Sequence, residues 1–147
     1  MPVYPALRYR DAPAAIEWLE RVLGFETTER IDNPDGTIAH AELRLGESVI
    51  MLGSGAEDLQ DAPESPRAAR FSLYVAVAEI DALHARAKDA GADVSELFEQ
   101  DYGSRDFNAR DLEGNHWSFG TYAPPPADPP APGGARKSSR WATGPSR

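Results

Sequence analysis

Hydrophobic residues recur along this chain with two periods. In "APAAIEWLERVLG", residues 12–24, Ile16, Leu19, Val22 and Leu23 fall on one face of a helix. Asp11 is placed to cap its start and Gly24 to stop it. Elsewhere the period is two. "VYPALRY" before the helix predicts a strand, and "FETTERI", "TIAHAELRL" and "SVIML" after it predict three more, with "NPDG" and "LGES" as turns. After a polar stretch, "GSGAEDLQDAPESPRAA", the order begins again. "RFSLYVAV" predicts a strand. "EIDALHARAKDAG" predicts a helix with Ile80, Leu83, Ala87 and Ala90 inward and Gly91 as its stop. "DVSELFEQ", "SRDFNARD" and "HWSFGTY" complete the series. Gly24 and Gly91 lie 67 residues apart. The pattern predicts an α+β fold of two βαβββ units in tandem.

In the last strand, after the turn residues "DLEGN", His116, Ser118, Gly120 and Tyr122 share one face, and Trp117, Phe119 and Thr121 the other. The second is bulky and belongs against a core. The first is small and polar, so what it lines decides the function.

Composition narrows the classes. Residues 1–122 hold eleven basic and twenty-three acidic side chains, a net charge of −12 within a chain total of −9. Such a surface repels nucleic acid and anionic membranes and attracts cations. No cysteine is present, which excludes thiolate metal sites and thiol nucleophiles and fits a reducing, cytoplasmic setting. No run approaches transmembrane length, and residues 1–13 lack the apolar core of a signal peptide. Residues 123–147 hold seven of the thirteen prolines and little to bury, so this tail is expected to be disordered.

The stretches "ALRYRDAPAAIEWLERVLGFE", "VAVAEIDALHARAKDAGADV" and "RDLEGNHWSFGTY" resemble the vicinal oxygen chelate superfamily. That group includes glyoxalase I, extradiol dioxygenases and bleomycin-resistance proteins. The resemblance covers nearly all of 1–122. It implies a first module over 1–53, a linker over 54–68 and a second module over 69–122, each module a half-cup with its helix on the convex side. Leu7, Tyr9 and Val3 would then face the first helix, as would Ile50 and Leu52. Phe71, Leu73, Val75 and Val77 would lie under the second. Family members commonly pair, so a homodimer is expected.

Metal-dependent members carry a ligand on the first and last strand of each module. The matching places here are Tyr4, Met51, Ser72 and Ser118, none of them a good donor to a divalent ion. No cofactor is therefore expected. His40, Glu42 and His116 form an alternative donor set, weakened by the two histidines' belonging to different modules. His84 is expected at the half-exposed edge of the second helix. The other cup-facing polar residues are Arg8, His40, Glu42, Tyr74, Asn108, Arg110, His116 and Tyr122, and Ala6, Ser72, Ala76, Ser118 and Gly120 leave space between them. Tyrosine and histidine offer flat faces with polar tips, suited to a small planar ligand. The resemblance and these residues together imply a metal-independent protein that sequesters a small, planar, cationic molecule. The alternative is a glyoxalase-like lyase, isomerase or dioxygenase using an altered metal set or none, with His116 or Glu42 as general base.

Overall fold

The structure, a computed structural model, describes residues 1–55 and 71–126. Most of the expected linker and tail lies outside the described residues. The first sheet contains β1 (Ala6–Tyr9), β2 (Glu26–Asp32), β3 (Ile38–Leu45) and β4 (Ser48–Ser54), in the order β1-β4-β3-β2. The second contains β5 (Ser72–Ala76), β6 (Asp93–Val94), β7 (Phe98–Glu99), β8 (Arg105–Arg110) and β9 (His116–Gly120), in the order β5-β9-β8-β6, with β7 also pairing with β8. In each sheet the first strand runs parallel to the last, and the remaining pairs are antiparallel. The α+β repeat read from the sequence is the fold observed. Among the described residues no helix is long and apolar enough to cross a membrane.

Helix α1 (Ala12–Trp18) starts where Asp11 accepts a hydrogen bond from the Ala14 N–H at 3.1 Å. It continues into a π-helical turn over Leu19–Leu23 and ends at Gly24, whose φ of 78° suits a residue without Cβ. The wider turn keeps Val22 and Leu23 both buried, together with Ile16, Trp18 and Leu19. Helix α2 (Ile80–Asp89) buries Ile80, Ala87 and His84. His84 is thus a core residue, 7 % exposed, and not a surface one. Its Nε2 lies 2.8 Å from the Ser95 carbonyl and its ring meets Phe107 edge-on, so both its polar tip and its flat body are used.

The expected parity holds on the helix side. Leu7, Tyr9, Ile50, Leu52, Trp117 and Phe119 are buried. Two expectations fail. Val3 does not pack under a helix but is exposed, because β1 starts only at Ala6, after Pro2 and Pro5. The single strand expected over 93–100 is broken into β6 and β7. Ser95 breaks it: its Oγ accepts from the Asn108 N–H at 2.9 Å and donates to the Glu96 carbonyl, so a side chain replaces the backbone in the ladder.

The two units are joined through their helix sides. Trp117 touches Phe25 and Phe71 edge-on, and Phe71 touches Tyr9. The helix ends cap one another. Arg86 donates to the carbonyls of Glu20 and Arg21, and Arg21 donates to the carbonyl of Ala90. Arg21 is thereby used between helices.

The "DLEGN" turn does more than reverse the chain. Buried Asp111 accepts from the Tyr9 hydroxyl at 2.8 Å, the Trp117 indole N–H at 3.2 Å, and the backbone and side-chain N–H groups of Asn115. Glu113 accepts from the N–H groups of Arg10 and Asp11 at the entry to α1. Asn115 is a buried donor rather than a flexible turn residue. One turn thereby holds β1, α1 and β9 in register.

Candidate functional site

Side chains turned away from the helices form two polar faces, one on each sheet. On the first sheet, His40 Nε2 lies 3.1 Å from Glu42 Oε1, both half-buried along β3. Met51 stands opposite Glu42 on one side and Ala6 on the other. Arg8 donates to the Ser54 carbonyl at 3.3 Å and crosses Gly53, where a Cβ would lie 2.6 Å from its guanidinium. A β-bulge between β2 and β3, next to His40, lets Ile38 and Ala41 both reach the core.

On the second sheet, Ser72 pairs with His116 and Tyr74 with Ser118 across the parallel β5–β9 ladder. Ser72 Oγ and His116 Nδ1 share a hydrogen bond of 3.1 Å. Ser118 donates to Asn108 Oδ1 at 3.0 Å. Arg110 is exposed beside His116. His116, Asn108 and Ser118 are half-buried, so their free edges stay accessible.

The structure therefore gathers the expected residues into two groups. Arg8, His40, Glu42 and Met51 lie on one sheet; Ser72, Tyr74, Asn108, Arg110, His116 and Ser118 lie on the other. Among the described residues no hydrogen bond links the groups. Tyr4 precedes β1 and is exposed. Tyr4 and Tyr74 both line a cavity of about 1140 Å³, bounded by residues 2–5, the β3–β4 turn, β5 and α2. Most of that cavity is apolar and lies on the helix side of β5, against Leu73, Val75, Leu83 and Trp117. Of the expected site residues it is lined by Tyr4 and Tyr74 alone.

Further residues complete the second face. Asp106 opposes Gly120 in the β8–β9 ladder and is 3 % exposed. Its carboxylate accepts from the Ser104 hydroxyl at 2.5 Å and the Gln100 amide at 3.0 Å. A Cβ at Gly120 would collide with the Asp106 carboxylate and the Tyr74 hydroxyl, so only glycine permits their approach. Tyr74 donates to the Tyr122 carbonyl at 2.7 Å, and Tyr102 meets Tyr122 edge-on at 5.8 Å. The Tyr102 phenol is pushed above its ordinary pKa, first by partial desolvation and then by Asp106 and the two neighbouring phenols. Asp106 was legible in the alternation of "RDFNAR", where it shares parity with Asn108 and Arg110. Tyr102 sits in a loop and has no periodic signal.

The donors do not suit a metal. Tyr4, Met51, Ser72 and Ser118 offer a phenol, a thioether and two hydroxyls, and both hydroxyls are engaged by His116 and Asn108. His40 and Glu42 form a pair on one sheet, and His116 lies on the other. Among the described residues no three His, Asp or Glu side chains converge to hold an ion.

Comparison with known proteins agrees with this architecture. Residues 2–119 match the family model described as Glyoxalase/Bleomycin resistance protein/Dioxygenase superfamily. An uncharacterized protein of Mycobacterium tuberculosis (strain H37Rv) is 31% identical over 121 residues, covering 79% of this chain and 71% of that protein. The crystal structure of TioX from Micromonospora sp. ML1 superposes with a TM-score of 0.66 at 30% identity, covering 81% of this chain and 98% of TioX. The fold is also shared with a bleomycin resistance determinant encoded on the transposon Tn5. Its TM-score is 0.62 at 17% identity, with 82% of this chain and 96% of that one covered.

Proposed function

The chain belongs to the Glyoxalase/Bleomycin resistance protein/Dioxygenase superfamily, and from that premise we propose that it binds and sequesters a small planar molecule without a metal. The observation that carries this reading is the second sheet's polar face. There Tyr74, Asn108, His116 and Ser118 present half-exposed aromatic and hydrogen-bonding groups around small residues. Flat rings with polar tips, held by their neighbours, supply affinity and orientation with little ordering cost on binding. Sequestration requires only a pocket and affinity, and the unsuited donor set at the four ligand positions fits that need. The reading includes a homodimer, supported by the open apolar flank of β5, and a cytoplasmic setting, supported by the lack of cysteine.

One observation favours a second reading, a catalytic one. Ser72 Oγ lies 3.1 Å from His116 Nδ1, and in the tautomer in which Nδ1 donates to Ser72 the Nε2 lone pair is free to act as a general base.

Calorimetric titration of the purified chain with planar aromatic compounds, charged and neutral, separates the two. Saturable binding that persists in a chelator, with the compound recovered unchanged, is the expected result. Binding that needs added zinc or nickel overturns it. So does turnover that His116→Ala abolishes while affinity is retained.

A further inference from the structure

At the far end of β9 the second face changes character. Three tyrosines from three separate segments meet there: Tyr74 on β5, Tyr102 in the loop between β7 and β8, and Tyr122 just after β9. They are 43 %, 66 % and 47 % exposed, a large aromatic surface to leave open to water. Tyr102 and Tyr122 stand nearly perpendicular, with ring planes at 78° and centroids 5.8 Å apart, and so form a corner. The bond from the Tyr74 hydroxyl to the Tyr122 backbone carbonyl brings the polar tip of the third tyrosine to the same corner.

Behind these rings lies Asp106. Its carboxylate is held by neutral donors alone, the Ser104 hydroxyl and the Gln100 amide. Among the described residues no cationic side chain pairs with it; Arg105, next in sequence, pairs with Asp81 at 2.9 Å. A buried carboxylate without a counter-charge is a costly feature, and its negative field acts on whatever occupies the space in front of it. Gly120 keeps the path between that carboxylate and the Tyr74 hydroxyl short. Electron-rich ring faces and a buried negative charge act in the same direction. Both stabilise an organic cation, and neither favours an anion or a neutral ring equally.

We propose that Tyr74, Tyr102 and Tyr122, backed by Asp106, form a subsite for the cationic end of an organic ligand, an alkylated ammonium or a protonated heterocycle. This deepens the binding-protein reading and rests on it. The subsite supplies the charge preference, and the remainder of the face accommodates the flat body of the ligand. An inorganic cation is a poor occupant, because the rings offer it no oxygen shell.

Titrating the full chain with benzyltrimethylammonium and, separately, with benzyl alcohol tests the subsite. The cation is expected to saturate at a concentration at least about tenfold lower than the alcohol. Tyr102→Leu, at an exposed loop tip, should weaken the cation about three- to tenfold, in line with loss of one cation–ring contact, and leave the alcohol within about twofold. Asp106→Asn, verified as folded by circular dichroism, should narrow the gap between the two probes. Equal affinity for both probes overturns the subsite, as does an unchanged cation affinity in Tyr102→Leu. If a neutral planar compound still binds saturably in either case, the pocket reading stands while the subsite falls. If no compound of either charge binds, both fall together.

Discussion

Strands β1 and β5 hold the same place in their sheets, each pairing in parallel with the last strand of its unit. Yet Leu7 and Tyr9 on β1 are buried, whereas Leu73 and Val75 on β5 are only half-covered. The difference lies in what packs across them. Beneath β1 runs α1 with its π-helical turn, which buries six apolar side chains between Ala15 and Leu23. Helix α2, which buries Ile80, His84 and Ala87, packs instead on β6, β8 and the π-helical turn, and the 1140 Å³ cavity opens between it and β5. A repeated order of elements thus sets the topology of both halves, but the depth of each core depends on which strands each helix covers and on the side chains it supplies. The first half is closed on its helix side. The second leaves an apolar flank open and carries the richer polar face on its other side.

The largest expected effect breaks the joint between the halves. Asp111→Ala removes the acceptor shared by Tyr9, Trp117 and Asn115, leaving at least two buried donors without partners. A loss of about 3–5 kcal/mol in unfolding free energy is expected, since each stranded donor costs about 1–3 kcal/mol. Urea denaturation followed by far-ultraviolet circular dichroism measures it. A loss below about 1 kcal/mol would mean that the turn is not what couples the two sheets.

A smaller effect sharpens the contrast between β1 and β5. Leu7→Ala deletes a buried side chain and should cost about 2–4 kcal/mol. Leu73→Ala, at the edge of the cavity, should cost about 1 kcal/mol or less in the isolated chain, because much of the side chain already faces open space. Equal costs in the two variants would show that the β5 flank is covered in solution, as the proposed homodimer requires, and sedimentation of the same samples would identify the partner as a second copy.

Much of this architecture was legible in the chain. Capping by Asp11, the stops at Gly24 and Gly91, and the inward stripe of α1 follow from local rules that later packing did not override. The face of each strand was legible for the same reason, since parity survives wherever a ladder is continuous. Misreadings fell where a side chain takes a backbone role or reaches across the fold. Ser95 splits an expected strand by supplying its own hydroxyl to the ladder. His84 looks polar in a helical stripe but finds a carbonyl eleven residues away. For the candidate site, alternation assigns residues to faces but cannot say which sheets meet. Hence the expected site residues were placed on two separate faces, and Tyr102 was missed in a loop with no period.

The smallest effect concerns the same joint, read through pH. Tyr9 is buried and its hydroxyl donates to Asp111; burial first, and the adjacent carboxylates after it, push its pKa far above the ordinary phenol value of about 10. In the unfolded chain the phenol ionises near pH 10, while in the folded chain it keeps its proton. Above about pH 10 the unfolded state therefore binds fewer protons, and stability falls as pH rises, by up to about 1.4 kcal/mol per pH unit. Below pH 10 this contribution is fully present. Tyr9→Phe should cost about 1 kcal/mol at neutral pH, because Asp111 keeps its other donors. It should also remove this alkaline limb, so that the stability difference between the wild-type chain and the variant holds steady to about pH 9.5, then shrinks and reverses sign. A difference that stays flat through pH 11 would mean that the phenol reaches water, and that the seam between the closed half and the open one is looser than the Tyr9–Asp111 contact implies.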